Sequence, residues 1–297
     1  MFGHRPDGKR TKNIDPIVRI TPYLMPMRCD AQVFLSHNLD YELMARYIAR
    51  QASAGEKITF MQLMAAAYVR AVSQNPEANR FIFNKQYYSR NNCSISYAVL
   101  IDPQNHDSEE ATVTVKFDLT DTIYDVRDRM NAAVEQCRNA KSDQFEVKLA
   151  KAVLAVPGLT TLIVGIARLL DRYGIPPWKL MKDLPFYCGM FITNNGSIGL
   201  DNVWHHIYNF GNVSMFLGMG CPRKLATVDA EGKARMKRVL PVGMTVDERV
   251  TSGAHYARFY AEFLRCLNHP ELLEVPPESV RFDEGVEYHV PKIKQQA

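Results

Sequence analysis

The stretch ATVTVKFDL, Ala111–Leu119, sets apolar Val113, Val115, Phe117 and Leu119 in alternation with Thr112, Thr114, Lys116 and Asp118. A period of two marks a strand that buries one face. The residues that follow, DTIYDVRDRMNAAVEQC (Asp121–Cys137), change period. Ile123, Val126, Met130, Val134 and Cys137 recur at helical spacing, and Asp121 or Thr122 stands where a helix cap belongs. A sheet with one buried face beside a helix with one buried stripe makes a layered domain.

Outward from this stretch the same materials recur. Val33–Leu39 reads as a strand, and Tyr41–Ala52 and Phe60–Ser73 as helices, the second opened by Thr59 as N-cap. Residues 186–220 read as two strands around a Gly/Asn-rich corner. Residues 238–250 read as another strand, leading into a helix over Gly253–Leu267. With no internal repeat and no βαβ rhythm, the expected class is α+β. The expected organisation is a flexible N-terminus (1–15), one domain (16–270) and an extended tail (271–297) bearing Pro276, Pro277 and Pro291.

Composition removes several classes. The 297 residues are 46% hydrophobic, 23% charged and 10% aromatic, with 16 Gly and 16 Pro, which excludes disordered and collagen-like chains. Lys and Arg (36) exceed Asp and Glu (32) by only four, so no nucleic-acid partner is expected. The six Cys, at 29, 93, 137, 188, 221 and 266, form no CxxC pair and no ligand spacing with His. They read as reduced thiols of a cytoplasmic protein, and no metal is expected. MFGHRPDGKRTKN at the N-terminus has no apolar core, so no secretory signal is expected.

The most hydrophobic stretch, Ala152–Ala167, falls short of the roughly 20 residues of a spanning helix and contains Pro157 and Gly158. No transmembrane segment is expected. Leu159, Leu162, Ile163, Ile166, Leu169 and Leu170 instead form an amphipathic helix that stops at Gly174. The plain expectation packs it on its own domain; a partner helix or a membrane surface is the alternative.

There is no P-loop, no GxGxxG after a strand, no GxSxG elbow and no HExxH. Of the eight His, five (His4, His37, His106, His269, His289) have no informative neighbours. That leaves His205 and His206 in WHHIYNFG, and His255 in SGAHYARF.

Three segments carry a family resemblance. GEKITFMQLMAAAYVRAVSQNPEANRF (Gly55–Phe81) resembles the helix and Pro-x-x-Asn turn of dihydrolipoyl acyltransferase catalytic domains. MFITNNGSIGLDNVW (Met190–Trp204) with VSMFLGMG (Val213–Gly220) resembles that family's strand, S/T-N-x-G turn and returning strand. VDERVTSGAHYARFYAEFL (Val246–Leu264) falls where it and the related chloramphenicol acetyltransferases carry H-x-x-x-D-G and a helix. The order agrees across roughly residues 20–270. The resemblance implies a two-layer fold, an antiparallel-rich mixed sheet covered by helices. It also implies a homotrimer with acyl-transfer sites at subunit interfaces, and coenzyme A as substrate.

The departures fall on the chemistry. In the family motif the His is the general base and the Asp four residues later holds the loop. Here Glu248 takes the His position and Ser252 the Asp position, with Gly253 retained. A carboxylate near pKa 4.3 is a poor base for a thiol near 8.5 unless burial raises it. General acid–base help is worth about 10²–10⁴ in rate. Thr193 lies where the family places the hydroxyl that binds the tetrahedral oxyanion, and a Thr keeps that donor.

Three readings of Glu248 follow. The base is relocated to His206 or His205, with Glu248 orienting it; this chain is similar to a stand-alone branch with an HHxYNFG-type stretch and D-E-R in place of D-H-R. Or the site is dead and the fold serves assembly as a scaffold of a 2-oxo acid dehydrogenase-type complex. Or Glu248 makes a salt bridge, for instance with Arg249 or an N-terminal Arg, and the pocket binds acyl-CoA without turnover.

Each residue also has a plainer role. Adjacent His205 and His206 would point to opposite sides, so at most one faces a given pocket. His255 packs or caps, Thr193 is a strand hydroxyl, and Trp204, Tyr208 and Phe210 are core. Asn194, Asn195 and Gly196 are turn chemistry first. With about 15 residues before the family-like region, no lipoyl attachment site is expected in cis, so a lipoyl-bearing or dehydrogenase-complex partner would have to deliver any lipoamide-borne acyl group.

Overall fold

A computed structural model of the protein describes residues 5–100, 110–139, 154–175, 178, 184–228 and 231–283. His4, His106, His289 and the tail from 284 onward lie outside them. In chain order the elements are β1 (Gly8–Arg10), α1 (Pro16–Leu24), β2 (Gln32–Asp40), α2 (Tyr41–Ser53), α3 (Phe60–Gln74), β3 (Phe81–Phe83), β4 (Gln86–Arg90) and β5 (Cys93–Leu100). They continue as β6 (Glu110–Phe117), α4 (Ile123–Asn139), α5 (Leu159–Arg172), β7 (Met190–Asn194), β8 (Met215–Met219), β9 (Arg223–Val228), β10 (Ala234–Asp247) and α6 (Gly253–Asn268).

The main sheet runs β2-β10-β8-β7-β5-β6, with β9 paired to β10. It is parallel at β5/β7 and β7/β8 and antiparallel elsewhere, the mixed α+β sheet that the sequence implied. Alternation sorts its two faces. Ile95, Met190, Ile192, Met215, Leu217, Val242, Met244 and Val246 are buried in one core with α2, α3, α4 and α6.

α3 is the central helix, buried from Gln62 through Ser73, where Ala65, Ala66, Ala67 and Ala71 allow close approach. Its start is a reciprocal capping box. Gln62 N donates to Thr59 Oγ1 at 3.2 Å, and Thr59 N donates to Gln62 Oε1 at 2.9 Å. At α4 the cap is Thr122: its N–H donates to Asp125 Oδ2 at 2.8 Å, and Asp125 N–H donates back to Thr122 Oγ1 at 3.3 Å. Asp121 instead pairs with Arg129 at 2.8 Å.

The N-terminal stretch expected to be flexible is built in from residue 5. β1 pairs with β4 in a second sheet, β1-β4-β3. Arg5 is buried, forked onto Asp7 at 2.9 and 2.8 Å, paired with Asp171 at 2.8 Å and placed 3.9 Å over the Phe83 ring. Its partner Asp171 lies far along the chain, out of reach of a local pattern. At the other end, the expected extended tail begins with a 3-10 turn over Pro270–Leu273, and residues 274–283, without helix or strand, are fastened: Arg281 N donates to Ser73 O at 2.9 Å, and Arg80 pairs with Asp283 at 2.5 Å.

The helix after Gly158 corrects the plain expectation. α5 forms where the spacing places it, and Gly174 past its end has φ of 75°. It does not lay its apolar stripe on the domain. Leu162, Ile163, Ile166 and Leu169 are exposed, and Asp171 is the residue it buries.

Candidate active site

Three residues stand in register across the sheet. Thr193 on β7 pairs with Gly218 on β8, which pairs with Gly243 on β10. Cross-strand partners point to one face, here the face away from the helices. The two glycines leave a bare strip. A Cβ on Gly218 would lie 2.5 Å from Val203 O, and one on Gly243 would lie 3.1 Å from Trp204 Cδ1. The chain after β7 therefore crosses the sheet flat against it.

That crossing segment is pinned at both ends. Trp204 Nε1 donates to Leu35 O at 3.0 Å, and Ile207 N donates to Gln32 Oε1 at 2.8 Å. Between them His205 stacks on Phe216, centroids 4.4 Å apart, and Phe216 stacks on Phe191 at 4.8 Å. The result is a contact between Thr193 Oγ1 and His205 Nε2 at 3.2 Å. Burial, aided by neighbouring His206, holds the His205 pKa below its ordinary 6.5. The ring is thus neutral at neutral pH and can accept a proton.

The turn after Thr193 supplies one more donor. Asn195–Ile198 form a single 3-10 turn closed by Gly199 at φ 80°. Gly196 is required by close approach, since a Cβ there would meet Gly220 O at 2.6 Å. Asn195 is buried, and its Nδ2 has no hydrogen-bond partner. That amide nitrogen lies against Gly218, 3.2 Å from where a Cβ would stand, on the same strip as Thr193. An orphaned buried donor costs about 1–3 kcal/mol, and this one lies beside the Thr193 strip. The turn pattern NNG hid this role, because Asn in such a corner is explained by backbone conformation alone.

The remaining expected residues go elsewhere. His206 is exposed and meets Tyr208 edge-on at 5.1 Å, diverging from His205 as adjacent residues should. Glu248 is exposed just past β10, its N–H donating to Ala31 O at 2.9 Å. Asp247 N donates to Ser214 O at 3.0 Å, so Glu248 lies beyond the opposite end of β8 from Gly218. That is about 15 Å along the strand, so Thr193 and Glu248 do not meet within one chain.

The expected Glu248–Arg249 salt bridge is replaced. Arg249 forks onto Asp247 at 2.8 and 2.7 Å, both buried, and Arg28 approaches the same carboxylate at 3.8 Å. Asp247 thus anchors the corner. Ser252 Oγ contacts His255 Nδ1 at 2.7 Å, a local contact at the start of α6. Trp204 and Tyr208 are partly exposed and not core. Near the Arg249 corner, a cavity of about 460 Å³ opens between the ends of α1 and α5, and Thr193 and His205 do not line it. Among the described residues no group of three His, Cys, Asp or Glu could hold a metal ion, and no helix is long and apolar enough to cross a membrane.

Comparison with known proteins bears out the resemblance. Residues 189–275 match the family model of 2-oxoacid dehydrogenases acyltransferase (catalytic domain). A probable dihydrolipoamide acetyltransferase from Listeria monocytogenes 4b F2365 shares the fold at 12% identity and TM-score 0.56, over 88% of this chain and 95% of that one. So does the cubic core of the pyruvate dehydrogenase multienzyme complex, at 17% identity and TM-score 0.52 over 86% and 88%. A truncated catalytic core of the 2-oxoacid dehydrogenase multienzyme complex from Thermoplasma acidophilum aligns at 15% and 0.51, over 88% and 99%. No curated protein matches the chain.

Proposed function

We propose that this chain, built on the fold of the dihydrolipoamide acetyltransferase catalytic domains, transfers a short acyl group between coenzyme A and a thiol, hydroxyl or amine acceptor. The contact of Thr193 Oγ1 with His205 Nε2 at 3.2 Å carries the reading. Neutral His205 accepts the Thr193 hydroxyl hydrogen while it waits. When Nε2 takes the proton from the attacking thiol or hydroxyl, its N–H donates to Thr193 Oγ1, and the Thr193 hydrogen turns to the oxyanion forming on the acyl carbon. Asn195 Nδ2 supplies a second donor to that oxygen. As the tetrahedral centre collapses, Nε2–H returns the proton to the leaving group. The base is thus relocated, within the same chain, from the motif position now held by Glu248.

Assembly completes the site in this reading. Phe34, Ile198, Leu200 and Trp204 are exposed and apolar around the Thr193 strip. A neighbouring copy of a homotrimer covers them, excludes water and brings its own Glu248 corner toward the strip. The acyl donor is a coenzyme A thioester, or a lipoyl group carried by a partner of a dehydrogenase-type complex.

The test is thiol release from acetyl-CoA and short-chain acyl-CoAs. His205→Gln and Thr193→Val each lower release by about 10²-fold or more, while His206→Ala leaves it intact. Loss in Glu248→Gln as well identifies that carboxylate as the neighbouring copy's contribution. A flat trace with every donor, together with co-purification in a larger complex, overturns catalysis in favour of a scaffold.

A further inference from the structure

α5 is mounted inside out. The residue it buries is Asp171, whose carboxylate pairs with Arg5 at 2.8 Å and accepts the Tyr187 hydroxyl at 2.7 Å. At about 100° per residue, Leu162, Ile166, Leu169 and Tyr173 lie on the side opposite Asp171. They are 59%, 48%, 54% and 46% exposed. The ion pair holds the polar edge to the body and turns the apolar stripe outward.

α1 repeats the arrangement, with Ile17, Ile20 and Leu24 at 78%, 52% and 71% exposure. The two helices flank one cavity of about 460 Å³, Pro22 and Met27 on one side and Arg168 and Arg172 on the other. The β3–β4 turn joins them. Arg172 Nε donates to Asn84 Oδ1 at 3.1 Å, and Lys85 Nζ lies 4.8 Å from the Tyr23 ring centroid.

Among the described residues of α1, α5 and the β3–β4 turn, the charge that faces solvent has one sign. α1 contains no acid, and Asp15 before it is engaged as its N-cap. The acid of α5, Asp171, is buried and turned inward onto Arg5. Arg28 and Arg249 in the cavity wall are held by Asp247, but Lys85, Arg168 and Arg172 face solvent.

We propose that this face docks on an anionic phospholipid bilayer. The apolar residues of α1 and α5 enter the boundary between acyl chains and headgroups, and Lys85, Arg168 and Arg172 receive the lipid phosphates. An apolar stripe edged by long cationic side chains that reach the headgroups is the pattern of interfacial helices. A second copy is the competing occupant. A two-fold contact would set Lys85, Arg168 and Arg172 against their own equivalents, which like-charge repulsion opposes.

Flotation of the full chain with phosphatidylcholine vesicles, with and without phosphatidylglycerol, tests this. The chain floats with the mixed vesicles and not the neutral ones, and added salt weakens the binding. Leu162→Glu with Ile166→Glu lowers the bound fraction at least about tenfold, and Arg168→Glu with Arg172→Glu removes the preference for anionic lipid. Both pairs are solvent-exposed, so the variants melt with the wild type. Failure to float with either vesicle, or flotation indifferent to the apolar pair, overturns the proposal. So does a fall in solution mass by light scattering in the apolar variant without lipid binding in the wild type, which assigns the face to a second copy.

Discussion

Burial keeps the His205 ring below the ordinary imidazole pKa, and the direction of that shift fixes the response to acid. With His205 as the proposed base, which works only while neutral, the expected acyl transfer is level at neutral pH and falls as pH drops through the depressed value. Stability follows the same sign. The unfolded chain binds this proton more readily, so the His205 contribution is full above about 6.5 and is lost as pH falls through the folded-state pKa. His37, also lowered by burial, adds in the same direction. His205→Gln cuts turnover about 10²–10⁴-fold and removes the acid limb of the rate profile; a limb that persists assigns the base elsewhere. Asn195→Leu separates chemistry from folding. It removes an orphaned donor, so urea stability holds or rises while kcat falls about 10²-fold or more. The place of Thr193 at the end of a strand and before a turn was readable from the motif. The burial of Asn195 Nδ2 without a partner was not, since nothing local distinguishes a turn residue from a buried donor.

At the scale of elements, the spacing of apolar residues located all four long helices of the sheet layer, because capping and periodicity are local. Thr59→Ala breaks the α3 capping box and lowers unfolding free energy by about 1 kcal/mol in urea titration. α5 shows the limit of periodicity. Its stripe gave a helix, but the direction in which the stripe faces was set by Asp171 and Arg5, residues distant in sequence. Burial raises the Asp171 pKa despite Arg5 beside it, the sign of a pair bought at a desolvation cost. Asp171→Ala leaves Arg5 paired with Asp7 alone and the buried Tyr187 hydroxyl without its acceptor, and destabilises by about 1–3 kcal/mol. Amide exchange should accelerate in α5 before α3; simultaneous loss of protection would show that the ion pair is not what holds α5.

For the whole molecule, the proposed site is complete only between copies. Ile198→Glu with Leu200→Glu places charge on the exposed rim without touching a core residue. It yields monomers by light scattering and lowers acyl transfer with Thr193 and His205 unchanged. Full activity in a strict monomer contradicts the interface. The Asp247–Arg249 pair extends the same lesson: D-E-R was legible as a motif departure, but which carboxylate the Arg would take was not. Backbone direction at the end of β10 turns Asp247 inward and Glu248 out, so the neighbour that looked chemical is exposed and its plain companion holds the corner.

The amino-acid sequence determined the helices α2 to α6, the strands β2 and β6, the α+β class and the place of the Thr193 turn, because alternation, capping and glycine placement act over a few residues; the short strands β1, β3 and β4 and the helix α1 left no such local signal. Tertiary structure alone decided which histidine meets Thr193, which carboxylate Arg249 takes and which way α5 faces. Each depends on a partner supplied by a remote strand or terminus, and the energy of a buried contact is absent from the chain until folding brings the partners together.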